Sequence, residues 1–234
     1  MLPCRGPSQR VWLFDLDDTL HDASNASMPH LHVSFGEYIQ THLGLDRQTS
    51  DALRRRYWLR YGATLLGLVR HHGVRAGHFL HHTHLLPGLE QRVRSHGADL
   101  AALARLPGRK FILTNAPADY ARRVLRVLGI ERWFEGVLSI EDMQMFGDLR
   151  PKPDARMFRH LAARLGVPPA RCVLVEDTLV HQKAARRVGM KTVWMQRWSR
   201  AAHAARSPHA VFRPARPGYV DRRVSRLRDL LRSP

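Results

Sequence analysis

The sequence predicts an α/β protein, a Rossmann-like parallel sheet with a small all-helical cap inserted into it. Two observations carry this. Short apolar runs alternate with amphipathic helical patterns over most of the chain, and one long segment near the N-terminus has helical periodicity with no strand pattern in it.

QRVWLFD, at residues 9–15, is a short apolar run that stops abruptly at acidic residues, as a buried parallel strand does when it ends in a site. The same pattern recurs at 110–115 (KFILTN), 136–140 (GVLSI), 171–177 (RCVLVED) and 191–195 (KTVWM). Between these runs, 118–128, 154–165 and 181–188 place apolar residues three and four apart, with Gly129, Gly166 and Gly189 where helices end. Such alternation gives a mostly parallel sheet, covered on both faces and joined by right-handed crossovers. Ligands of these sheets sit at the carboxyl ends of the strands. The polar residues fall there: Asp15 and Asp17 after the first run, Thr114 and Asn115 after the second, Glu176 and Asp177 after the fourth.

Residues 22–86 read as helices throughout, at 35–43, 49–61, 63–71 and 76–84. This is the expected cap, leaving 1–21 and 87–234 as the catalytic core. Inserted between the first two core strands, it would hang over their carboxyl ends. Residues 198–217, rich in Arg, Ala and Pro, should be a loose crossing, and helical spacing returns over 219–231 at Val224, Leu227, Leu230 and Leu231.

A chain of 234 residues with 44% hydrophobic content suits one catalytic domain plus a modest insertion. The apolar run at 61–69 is closed by Arg60 and Arg70, far short of the roughly 20 residues that span a bilayer. The first apolar run meets Asp15 too soon to be a signal-peptide core, so a cytosolic location is expected. Cys4 and Cys172 give neither a disulfide framework nor a zinc spacing. The net charge of +18 invites nucleic acid or an anionic substrate as partner, yet the cations are mostly scattered Arg, which equally suits a solvated basic surface. Monomer and homodimer both remain open.

Asp15-Leu16-Asp17-Asp18-Thr19 packs three carboxylates into four residues directly after a buried strand, an arrangement that costs repulsion unless a cation neutralises it. Hard oxygen ligands, with no cluster of Cys or His on the core strands, point to Mg2+. This string resembles the first motif, Asp-x-Asp-x-Thr, of the haloacid dehalogenase-like (HAD) hydrolases. Thr114 in ILTNA, Lys152 in RPKPD and Glu176-Asp177 in VLVEDT resemble the remaining three motifs, in order.

The resemblance implies the HAD fold and a role for each residue. Asp15 would be the nucleophile that forms an aspartyl-phosphate, and Asp17 the general acid and base, its main-chain carbonyl also touching magnesium. Thr114 and the N–H of Asn115 would hold phosphate oxygens, Lys152 would offset charge between nucleophile and ester, Asp177 would ligate the metal and Glu176 would hold metal-bound water. Relatives often have Asp-Asp-Ser and a later Asn or Asp where this chain has Glu-Asp-Thr and His181.

FDLDDTL together with YWLRYGATLLGLVRHH in the cap is similar to the pyrimidine 5′-nucleotidase branch, which implies a small phosphomonoester such as UMP or CMP, with Tyr57, Tyr61 and Arg70 as candidate base and ribose contacts. Tyrosines at helical spacing also serve as core. Sugar phosphates, phosphoglycolate and a phosphomutase outcome are alternatives within the same chemistry. His71, His72, His78, His81, His82 and His84 crowd the second half of the cap, with no acid or Cys among them, so solvated or hydrogen-bonded histidines are expected there rather than a metal site.

Overall fold

The structure is a computed structural model that describes residues 10–199 and 215–232. These form two compact units, one running to Ser24 and resuming at Val93, the other spanning Asn25–Arg92. The first unit begins with β1 (Val11–Phe14), and the second holds α1 (Ala23–Ala26, begun at the boundary), α2 (Met28–Leu43), α3 (Arg47–Tyr61), α4 (Thr64–His72), α5 (Ala76–Thr83) and α6 (Leu89–Arg92). The first unit then continues with α7 (Gly97–Arg105), β2 (Arg109–Leu113), α8 (Ala118–Leu128), β3 (Gly136–Leu138), β4 (Gln144–Met145) and β5 (Asp148–Leu149). It ends with α9 (Ala155–Arg164), β6 (Cys172–Glu176), α10 (Leu179–Arg187), β7 (Lys191–Met195) and β8 (Arg222–Val224).

Six strands form one sheet in the order β3-β2-β1-β6-β7-β8, every pairing parallel. It is an α/β Rossmann-like fold. β1 is buried along its whole length because helices cover both faces of a parallel sheet, which is why VWLF is continuously apolar rather than alternating. β1 lies between β2 and β6, so the chain reverses its winding direction at β1 and opens a crevice at the carboxyl ends of these three strands. Gly108, at φ 108°, turns the chain into β2; a Cβ there would come within 2.6 Å of the Arg10 carbonyl oxygen, so the close entry of β2 alongside β1 requires glycine.

The five core strands expected from the sequence are present, but the helix expected over 219–231 is not. That segment is β8 followed by a 3-10 turn at Leu227–Leu231. Val220, Val224, Leu227 and Leu230 are buried as an amphipathic helix would bury them, so periodicity alone could not separate the two. Pairing decides it: Arg222, Arg223 and Val224 pair with Val193, Trp194 and Met195, and the Asp221 carboxylate accepts from the N–H of Thr192. The loose crossing expected over 198–217 lies mostly outside the described residues, and none of the described helices is long and apolar enough to cross a membrane.

The second unit is helical and spans Asn25–Arg92. Leu89 is buried, and the Arg92 guanidinium donates from Nε to the Ala26 carbonyl. Asp46 caps α3 by accepting from the Thr49 N–H at 2.9 Å. α4 rests against α3 at Gly67, where the Tyr57 ring occupies the space of a side chain: a Cβ would lie 2.1 Å from the ring. Gly67→Ala should therefore destabilise the protein by about 1–3 kcal/mol through overpacking, against the usual helix preference for Ala. Urea denaturation is the check, and a stabilised variant would refute this packing.

Candidate active site

The sheet order brings the sequence-selected core residues together. Asp15 follows β1 and is fixed there by its N–H, which donates to the Val175 carbonyl of β6 at 2.9 Å. Thr114 follows β2 and donates its N–H to Leu138 of β3 at 3.0 Å, while Glu176 closes β6. Lys152 enters from the loop after β5 and is 1% exposed. Its Nζ donates to Asp15 Oδ1 at 2.6 Å, to Glu176 Oε2 at 2.8 Å and to the Leu113 carbonyl at 3.0 Å. All three ammonium donors are thereby used, the condition for burying a lysine.

The loop bearing Lys152 is held by Asn115. Its side-chain Nδ2 donates to the Lys152 carbonyl and its Oδ1 accepts from the Lys152 N–H, each at 2.9 Å. The Asn115 side chain is thus committed to positioning Lys152. Thr114 is 1% exposed, and its Oγ1 accepts from the Ala116 N–H at 3.0 Å, which orients its own hydroxyl hydrogen.

Asp17 has a separate set of partners. Its Oδ1 accepts from the Tyr120 hydroxyl at 2.6 Å and lies 2.9 Å from His21 Nε2. His21 and Tyr120 were not singled out in the sequence. Tyr120 sits on the apolar face of α8 and reads as core, whereas the spacing of His21, four residues after Asp17, is a signal that could have been followed. Asp18, at φ 54°, is half-buried and accepts from the N–H and hydroxyl of Ser24. Thr19 Oγ1 donates to Asp15 Oδ2 at 3.3 Å.

Burial, then the charge of Glu176, raises the Asp15 pKa well above its ordinary value against the opposing pull of Lys152. Burial would lower Lys152, yet Asp15 and Glu176 outweigh it and keep the ammonium charged. Burial would raise Glu176, but Lys152 and then His181 hold it well below the usual carboxylate range. His181 Nδ1 lies 3.2 Å from Glu176 Oε2, which puts a second nitrogen beside that carboxylate. Burial, Glu176 and Asp15 raise Asp177 well above its ordinary value.

Asp15, Glu176 and Asp177 offer oxygens that all lie within 4.8 Å of one another. Three neighbouring hard donors, two of them buried and Asp177 half-buried, fit a small divalent cation such as Mg2+. The carboxylate of Asp17 is not part of this group. Tyr57, Tyr61 and Arg70 belong to the second unit. There Tyr57 is buried, its hydroxyl 2.8 Å from His72 Nε2, and the Tyr61 hydroxyl is 2.6 Å from His71 Nε2.

A buried carboxylate–lysine–carboxylate centre thus lies at the switch point of a parallel sheet. The chain matches the model of the haloacid dehalogenase-like hydrolases over residues 10–189, and it belongs to that family. It is similar to phosphate metabolism protein 8 of Saccharomyces cerevisiae, 23% identical over 202 residues, covering 81% of this chain and 62% of the yeast protein. The chain thus spans less than two thirds of that relative. Among solved structures it resembles a HAD phosphatase from Thermococcus onnurineus, with a TM-score of 0.59, 19% identity and 94% and 95% of the two chains covered. It also resembles the L-2-haloacid dehalogenase from Xanthobacter autotrophicus with chloropropionic acid covalently bound, with a TM-score of 0.56, 18% identity and 95% and 96% covered. A phosphatase and a dehalogenase share this fold, so the choice of reaction rests on the site.

Lys152→Met should cost about 3–5 kcal/mol in urea denaturation at neutral pH, because it strands Glu176 as a buried, weakly compensated charge. The wild-type contribution of a depressed carboxylate is complete above its ordinary value of 4.5 and is lost as pH falls below it toward the lowered value of the folded state, so the gap between wild type and variant should narrow in acid. A gap that widens on acidification would contradict this pairing.

Proposed function

We propose that the chain is a magnesium-dependent phosphatase that works through an aspartyl-phosphate on Asp15. The observation that carries this reading is the Lys152 ammonium bonded at once to Asp15 and Glu176, with Asp17 held by different partners one residue beyond Leu16. Lys152 on Oδ1 and Thr19 on Oδ2 fix the orientation of the Asp15 carboxylate. The lysine charge also reduces repulsion between this nucleophile and an anionic ester.

Asp15 attacks phosphorus in line, and the bond from phosphorus to the leaving oxygen breaks as the new P–O bond forms. Asp17, steadied by Tyr120 and His21, gives its proton to the leaving oxygen. A water then attacks the phosphorus, Asp17 takes a proton from it, and inorganic phosphate departs with Asp15 restored. The Thr114 hydroxyl and the Asn115 N–H donate to the phosphate oxygens at the turn into α8. Asp15, Asp177 and the main chain of Asp17, with Glu176 behind them, would hold magnesium, which would supply charge neutralisation.

Nucleoside 5′-monophosphates, UMP and CMP in particular, are the proposed substrates. The resemblance of the helical segment to pyrimidine 5′-nucleotidases supports that choice.

Purified protein should release phosphate from UMP or CMP with added magnesium and fall to background with excess chelator. In a release assay Asp15→Asn should be at background with an unchanged circular-dichroism spectrum, while Asp17→Asn should lose about 10²–10⁴-fold in kcat. Activity retained by Asp15→Asn would reject the nucleophile. A screen that included sugar phosphates and phosphoglycolate and found either preferred over nucleotides would reject the substrate class alone.

A further inference from the structure

The second unit contains a histidine constellation that the phosphatase reading does not use. His78 and His82 stand one turn apart on α5, hence on the same helix face. The structure adds His42, from the last turn of α2, which had not been grouped with the cap histidines in the sequence. The three ring centroids are separated by 4.2 Å for His78–His82, 5.0 Å for His42–His78 and 6.0 Å for His42–His82. All three residues are exposed, so an ion and its waters can reach them.

Three imidazoles bound tetrahedrally to one zinc ion at a Zn–N distance of about 2.0–2.1 Å place their ring centroids about 5 Å apart. The observed separations bracket that value; the ring nitrogens do not converge as the oxygens of Asp15, Glu176 and Asp177 do, so the rings must rotate to turn one nitrogen of each toward a common ion. One ring already has an orienting partner. The Tyr38 hydroxyl lies 2.8 Å from His78 Nδ1, and Tyr38 is itself buried with its ring against Phe79. With Nδ1–H donating to that oxygen, Nε2 is the nitrogen left for a metal, the arrangement that fixes ligating histidines in metal sites.

We propose that His42, His78 and His82 bind a zinc ion that joins α2 to α5. Imidazole ligands favour late first-row divalent metals over magnesium, so this site and the acidic one would select different ions. The two share no residue.

The test is equilibrium dialysis of the full chain, free of any affinity tag, with zinc in saturating magnesium. Wild type should bind one zinc equivalent that becomes weaker by on the order of tenfold or more in His42→Ala and His82→Ala, and by about tenfold in Tyr38→Phe. The exposed His160→Ala should retain it, as should Asp15→Asn, which separates this site from the proposed catalytic one. Zinc should raise the Tm of wild type but not that of His82→Ala. Equal zinc binding by wild type and His82→Ala, or equal loss in His160→Ala, would overturn the proposal.

Discussion

A single buried ammonium organises the catalytic unit. Lys152 Nζ ties together the ends of β1, β2 and β6 through Asp15, the Leu113 carbonyl and Glu176. Removing three ionisable side chains and a main-chain carbonyl from water is expensive, and the arrangement holds because every ammonium donor finds an oxygen. The same contacts set the charge states: Lys152 keeps Glu176 ionised, while burial and the surrounding acids raise Asp15 and Asp177. A site with one compensated carboxylate and two whose charged forms burial disfavours is suited to a cation.

Architecture makes that convergence possible. β1 is flanked on both sides by parallel strands, so residues distant in the chain end side by side without any long reach. Asn115 carries the principle one step further by clamping both backbone polar groups of Lys152, so the loop that delivers the lysine is registered against the turn that delivers Thr114. The Asp17 carboxylate is kept apart from this cluster, since it answers to Tyr120 and His21 instead; in the proposed mechanism that separates proton handling from the nucleophile.

Much of this was legible in the sequence because the relevant signals are local. Fully buried parallel strands read as continuous apolar runs, and each ended at the polar residues that now meet: Asp15, Thr114 and Glu176. What was hidden depends on tertiary pairing. Val220, Val224, Leu227 and Leu230 are spaced for a helix, yet the hydrogen-bonding edge of β7 captures Arg222–Val224 as a strand. Tyr120 looked like core because it is core by burial, and only the fold reveals its hydroxyl on Asp17. Likewise His42 lies far from His78 and His82 in the chain and joins them only when α2 packs beside α5. The roles of Tyr57 and Tyr61 were ambiguous between core and ligand; within their own unit, Tyr57 fills the space above Gly67 and both hydroxyls meet histidines.

The decisive measurement is chemical trapping of the acyl phosphate. Asp17→Asn protein, given an activated aryl phosphate whose leaving oxygen needs no proton, should accumulate phosphorylated enzyme, and borohydride reduction followed by peptide mass spectrometry should locate the modification at Asp15. Phosphate release with Asp15 unmodified, or an adduct on another side chain, would contradict the mechanism.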